Sequence, residues 1–131
     1  MAFPLDDLPA SVSEFCAQRH LATLTTMRPD GSAHVSPVGF SWDGEAKVAR
    51  VIAGDASQKV INARRDARVV LCQVDGGRWL SLEGRARVTS DPAEVAEAER
   101  RYGSRYQAPR PNPSRVAIVI EVDRVLGRPA L

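Results

Sequence analysis

The sequence predicts a mainly β, α+β chain: six antiparallel strands forming a small closed or split β-barrel with short covering helices. Three observations predict it. Short strand-like runs recur along the chain, separated by turn chemistry at Arg28-Pro29-Asp30-Gly31, Asp43-Gly44 and Gly76-Gly77. The run from Arg78 to Ser90 is long and carries Gly84 in its middle, as strands do where they bend at a barrel corner. Helical spacing is confined to three short stretches.

In chain order, residues 9–18 read as a short amphipathic helix with Val12, Phe15 and Cys16 at helical spacing. His20 to Met27 is a strand and residues 33–42, AHVSPVGFSW, its hairpin partner. Pro37 cannot donate to a ladder, so that strand must be an edge, carry a bulge, or meet something other than a strand; Gly39 supports the same reading. Lys47 to Ala53 is the third strand, and Ser57 caps a helix running to about Arg65. Arg68–Asp75 and Arg78–Ser90 form a further hairpin. Asp91-Pro92-Ala93-Glu94 is a helix start, with Asp as the cap, Pro in the first helical position and Glu placed to reach back. Val95, Ala98 and Tyr102 line one face of that helix. Residues 108–113, APRPNP, are too proline-rich for helix or sheet, and Ser114 to Leu126 closes the chain as a strand.

At 131 residues the chain has the size of a single domain, residues 1–131, with one core. No apolar run approaches the ~20 residues of a membrane helix, and the acidic N-terminus lacks the order of a secretory signal, so a cytoplasmic protein is expected. Cys16 and Cys72 have no metal-like spacing and read as reduced, packed thiols. His20 and His34 have no partners at metal spacing, so no metal is expected. Neither a nucleophile elbow nor a Gly-x-Gly-x-x-Gly loop is present, and no carboxylate pair suggests glycosidase chemistry. The net charge is +2, and the basic residues are not interleaved with exposed aromatics, which argues against nucleic acid. The charge is uneven: Asp91 to Glu99 carries four acids, whereas Arg100 to Arg115 carries five arginines and no acid. That is either a solvated face with a basic loop or the mark of an anionic partner.

Two stretches stand out chemically. Lys59 falls in the first turn of its helix, where the macrodipole disfavours a cation by a few tenths to about 1 kcal/mol. Either the lysine leans away into solvent, or an anion sits at the helix end, held by free amides and the lysine together. In Arg78–Arg85, alternation puts Trp79, Ser81, Glu83 and Arg85 on one face. A tryptophan sharing a face with those residues points to a planar ligand, a subunit interface, or the margin of the core.

The order RHLATLTT…PDGSAHVSPVGF, then SQKVIN, then RWLSLEGRARV resembles the pyridoxamine 5′-phosphate oxidase-like split β-barrel superfamily. The ending RYGSRYQAPRPNPSRVAIVIEVDRVLG is similar to its F420-dependent (deazaflavin) actinobacterial branch, and there to the F420-dependent biliverdin reductases. The resemblance implies the FMN-binding split-barrel fold. It also implies a homodimer with sites at the interface, and coenzyme F420 as cofactor, with FMN the alternative. Hydride would pass from reduced F420 to a planar conjugated acceptor, the tetrapyrrole biliverdin, giving bilirubin. A carrier that binds cofactor or tetrapyrrole without turnover is the non-enzymatic alternative. The absence of a C-terminal basic and histidine segment speaks against vitamin B6 chemistry.

Residue by residue, the family's serine-basic-lysine phosphate turn falls on Ser57, Gln58 and Lys59, with Gln in the basic position. Ring-lining positions fall on His34, Val35, Ser36, Pro37, Ile52 and Ala53, and the partner subunit's ring contact on Trp79. Arg101, Arg105 and Arg110 are candidates to neutralise the cofactor's oligoglutamate tail. Arg78, Arg110 and Asn112 are candidates for substrate contact. No side chain stands out as proton donor, and the catalytic residues stay unassigned.

Overall fold

The computed structural model describes residues 1–131 as eight strands and three helices. Their order is β1 (Ala2–Phe3), α1 (Ala10–Ala17), β2 (Ala22–Met27), β3 (Ala33–Val38), β4 (Ser41–Asp43), β5 (Val48–Gly54), α2 (Gln58–Arg65), β6 (Arg68–Asp75), β7 (Arg78–Thr89), α3 (Pro92–Arg105) and β8 (Arg115–Arg128). All strand pairs are antiparallel, in the order β3-β2-β6-β7-β8-β5-β4, with β1 added along β8. The two ends of this order, β3 and β4, follow each other in the chain but do not pair. The sheet therefore curls without closing, which is a split barrel.

Two strands more than the expected six arise for identifiable reasons. The two-residue β1 is too short to show periodicity. Residues 33–42 do not form one strand: the ladder breaks at Gly39, against whose backbone two aromatic rings lie. A Cβ at that position would stand 2.9 Å from Tyr102 Cε2 and 2.9 Å from Tyr106 Cε2. Pro37 lies on β3, which pairs only with β2, so its missing N–H costs no ladder bond on the open side. At Gly84 the register with β8 shifts, and a Cβ there would meet the Glu121 carbonyl oxygen at 2.2 Å. That is the bend expected of a long strand with an internal glycine.

Alternation sorts the side chains. Ala49, Val51 and Ala53 of β5, Leu80 and Leu82 of β7, and Val116, Ile118 and Ile120 of β8 point into the main core. The other face of β8 is also buried, because α3 lays Ala98 against Ala117 and Val119. This double cover explains why residues 116–120 read as a nearly continuous apolar run. Ile118 and Leu82 are at most 1% exposed, and cutting either to Ala would cost about 2–5 kcal/mol.

The start of α3 is capped by Asp91, which accepts from the Glu94 amide at 3.1 Å. The expected return bond from Glu94 is not made. Its carboxylate accepts instead from Arg87 and from the Thr89 hydroxyl, both at 2.6 Å. The helix also runs past Gly103 to Arg105; a Cβ at Gly103 would make only an ordinary contact, 3.7 Å from Ala108 Cα, so the glycine merely lowers local propensity.

Candidate functional site

Ser57 stands at the cap position of α2, but its hydroxyl turns back and donates to the Gly54 carbonyl at 2.8 Å. The sequence-based expectation of a side-chain cap is thus corrected: no side-chain bond closes this end. The hydroxyl fastens the end of β5 to the helix, and the amides of Gln58 and Lys59 are left without a partner in the chain. Free first-turn amides carry partial positive charge. Gln58 adds no charge, and its amide is spent inward on Asn62 Oδ1 at 2.8 Å; Asn62 in turn donates to the buried Thr26 hydroxyl at 3.1 Å. Arg64 and Arg65, at the other end of α2, have structural partners in Asp55 (2.6 Å) and the Met27 carbonyl.

A cavity of about 410 Å³ opens beside this helix start, between the ends of β3 and β5, two strands that do not pair. One wall is Pro37, Val38 and Gly39; the facing wall is Ile52, Ala53 and Gly54. Tyr102 and the segment from Gln107 to Asn112 close over it. The cavity therefore occupies the split of the barrel. Lys59, Arg110 and Arg115 line it, and no carboxylate, imidazole or thiol does. With apolar walls and three cations, the cavity suits an anionic ligand with a flat apolar body. The lining holds no serine, cysteine or carboxylate nucleophile with a neighbouring base, so binding and orientation are what these side chains chiefly offer.

Among the residues singled out from the sequence, Pro37, Ile52, Ala53, Lys59, Arg110 and Asn112 come together in this cavity. Strand alternation divides the β3 group. His34 and Ser36 turn inward, and His34 Nδ1 and Ser36 Oγ are buried without a hydrogen-bond partner, whereas Val35 is 57% exposed on the opposite face. His34 lies directly across from Thr26, hence beside the Gln58–Asn62–Thr26 chain of hydrogen bonds.

Other expected site residues stand elsewhere. Trp79 is 37% exposed and lines a separate cavity of about 530 Å³ with Met1, Phe3 and Pro129. Arg78 does not reach the cavity of its own chain: it pairs with Asp75, donates to Gln18 Oε1 at 2.9 Å and lies over the Phe15 ring. Arg101 is paired with Glu97 at 2.7 Å and Asp43 at 3.2 Å. Arg105 is turned into the barrel end, so of the three proposed tail arginines only Arg110 lines the cavity. Charge counting along a helix and loop says nothing about which way each guanidinium points.

Of the lining residues that the sequence reading of the site did not name, Tyr102, Gly39 and Arg115 matter most. Tyr102 was visible only as part of an apolar helix face. Gly39 was visible as an interruption, without the tyrosines that require it. Arg115 was visible only as the last arginine of the basic stretch, at the start of the closing strand, and it becomes a cavity residue because it pairs with Gly54.

The family model for pyridoxamine 5′-phosphate oxidase matches residues 8–128. An F420H(2)-dependent biliverdin reductase of Mycobacterium tuberculosis (strain CDC 1551 / Oshkosh) is 57% identical over 113 residues, 86% of this chain and 82% of that protein. Among solved structures, the conserved hypothetical protein Rv2991 of Mycobacterium tuberculosis superposes with a TM-score of 0.80 at 25% identity, covering 93% of this chain and 84% of that one. A protein described as an F420 reductase superposes with a TM-score of 0.73 at 25% identity, over 91% of this chain and 98% of its own.

Proposed function

The chain belongs to the pyridoxamine 5′-phosphate oxidase family, and from that premise we propose that it is an F420H2-dependent reductase that converts biliverdin to bilirubin. The observation that carries this reading is the cavity at the split, lined by Lys59, Arg110 and Arg115 with no acid among its walls, in a chain 57% identical to a biliverdin reductase that uses F420H2.

The residues present fit the cofactor. Two free α2 amides and Lys59 suit a phosphate, and Pro37, Ile52 and Ala53 suit a planar ring. When bound, reduced F420 supplies the hydride that reaches the central methine carbon of biliverdin. The protein holds ring and acceptor face to face and excludes water from the apolar walls. Arg110 and Asn112, on the proline-rich segment over the cavity, pair with the acceptor's propionates. No carboxylic acid or imidazole lines the cavity, and the proton that balances the hydride is supplied by solvent or by a proton-bearing lining group such as the Lys59 ammonium or the Tyr102 hydroxyl.

The outer sheet face supports a homodimer. Register places Pro37 beside Thr23, Thr23 beside Cys72, and Cys72 beside Ser81, with Val35, Val74 and Trp79 exposed on the same surface. This surface spans four strands and is apolar or neutral at most positions, as subunit interfaces are. In a dimer built on it, Trp79 serves the partner's cavity rather than its own. The reading also places the protein in the cytoplasm; no helix is long and apolar enough to cross a membrane.

The test is the rate of F420H2 oxidation by the purified protein with biliverdin as acceptor, beside Lys59→Ala and an FMN-loaded sample. The expected result is turnover with F420H2, lost in Lys59→Ala through weaker cofactor binding. Binding of F420 without turnover would remove biliverdin as the acceptor; turnover only with FMN would replace the cofactor.

A further inference from the structure

We propose that Arg115 is the second fixed positive charge for the cofactor's phosphate, standing across the α2 turn from Lys59 and supplying the charge that Gln58 lacks. The inference rests on the reading that a phosphate-bearing deazaflavin occupies the cavity.

The strand register brings Arg115 to the phosphate turn. It pairs with Gly54, the last residue of β5, from which Asp55-Ala56-Ser57 lead into α2. The Asp55 amide donates to the carbonyl of Ser114 at 2.9 Å, so the turn is tied to the residue directly before Arg115. Cross-strand partners share a face of the sheet. Arg115 therefore stands on the face of Gly54 and Ile52, both of which line the cavity along with it.

Its environment also separates it from the other cations. The Arg115 side chain is 12% exposed, and Nη1 donates to Glu99 Oε2 of α3 at 2.8 Å. The Arg115 amide donates to the Asn112 carbonyl at 3.1 Å. The guanidinium is thus held in one place, and with five donors it keeps N–H groups free beyond the one given to Glu99. A phosphate is a fixed anchor at a helix start and suits a fixed, partly desolvated guanidinium. Arg110, by contrast, is exposed on the proline-rich segment, where a cation meets anions that vary in position. Glu99 is not among the lining residues of the cavity, and its bond to Nη1 orients the fork.

Equilibrium binding, read by deazaflavin fluorescence, tests this with three probes: the phosphate-free deazaflavin ribitol compound, its 5′-phosphate, and F420. Arg115→Gln is expected to weaken the 5′-phosphate and F420 by the same factor, about tenfold, and to leave the phosphate-free compound unchanged. Arg115→Lys should recover part of the loss. Unchanged binding of the phosphate-free probe also shows that the variant is folded. Weakening of F420 alone would assign Arg115 to the carboxylate tail and overturn the proposal. Equal weakening of all three probes, or of none, would overturn it as well. If the unaltered protein bound no deazaflavin at all, the functional reading itself would fall, whereas normal wild-type binding with an unaffected Arg115→Gln removes only this assignment.

Discussion

Arg105 donates a guanidinium nitrogen to the Phe40 carbonyl at 2.5 Å and lays the same group over the Phe40 ring, 4.6 Å from its centroid. Its other donors reach the Gln18 carbonyl at 2.9 Å and Gln73 Oε1 at 2.5 Å. No carboxylate pairs with it, and burial pushes its pKa below the ordinary arginine value. The last turn of α3 is thereby pinned to the α1–β2 link, the β3–β4 break and β6, and the segment over the cavity sets off from that point. Arg105→Ala should lower unfolding stability by about 3 kcal/mol, because the Phe40 carbonyl and Gln73 Oε1, both on buried residues, lose this donor, while the Gln18 carbonyl keeps only the His20 amide. Arg105→Lys should recover little, since an ammonium cannot reproduce the planar fork. Urea unfolding of the three proteins checks both statements.

Gly39 is the residue that lets Tyr102 and Tyr106 approach the barrel. The two rings stand 4.9 Å apart, and the Tyr106 hydroxyl donates to the His20 carbonyl at 2.6 Å. Gly39→Ala should push both rings outward and distort the cavity wall, at a stability cost of about 1–2 kcal/mol. The expected kinetic sign is a raised acceptor KM with cofactor affinity changed much less. Steady-state kinetics beside a cofactor titration separates the two effects.

Stability should fall in acid through two carboxylates of α3. Hydrogen bonds from Arg87 and then Thr89 hold Glu94 at about 2, and bonds from Arg100 and then Arg101 hold Glu97 at about 2, against an ordinary value of 4.5. A folded-state pKa below the unfolded one stabilises fully above about 4.5 and is lost as pH falls toward about 2. Thermal melts between pH 7 and pH 2 should decline across that window. Glu97→Gln should flatten part of the decline, and salt should weaken it further, since both groups are near the surface.

Val35 tests the proposed dimer. It is 57% exposed at the edge strand, on the apolar outer face, so a charge there harms an interface without disturbing the core. Val35→Glu should sediment as a monomer while keeping the far-UV circular dichroism of the unaltered protein. A variant that stays dimeric at micromolar concentration would show that the subunits meet elsewhere.

Much of this architecture was legible because the relevant signals are local. Turn residues at positions 28–31, 43–44 and 76–77, the cap at Asp91 and the glycine at 84 each act over a few residues, and each marked its place in the fold. The same holds for Lys59 at the start of α2, whose odd position in the dipole is a property of eight consecutive residues. Two misreadings have one origin. The continuous strand 33–42 and the return bond from Glu94 were broken by partners remote in sequence or across a strand: Tyr102 and Tyr106 in the first case, Arg87 in the second.

By itself the sequence determined the strand and helix alphabet, a small antiparallel barrel left open between closed and split forms, and the lysine at the helix start, because those depend on side-chain period, turn geometry and capping over short spans. Only the tertiary structure decided which cations share a cavity. Arg110 and Arg115 meet Lys59 there, while Arg101 and Arg105 from the same basic stretch are turned to Glu97 and Asp43 and to the barrel end. The direction of a long, flexible guanidinium is set by whichever desolvated acceptors the folded chain places within its reach. Glu97 is a local partner, one helical turn from Arg101, but Asp43, Gln18, Phe40 and Gln73 come from strands and links tens of residues away, and no local pattern encodes those choices.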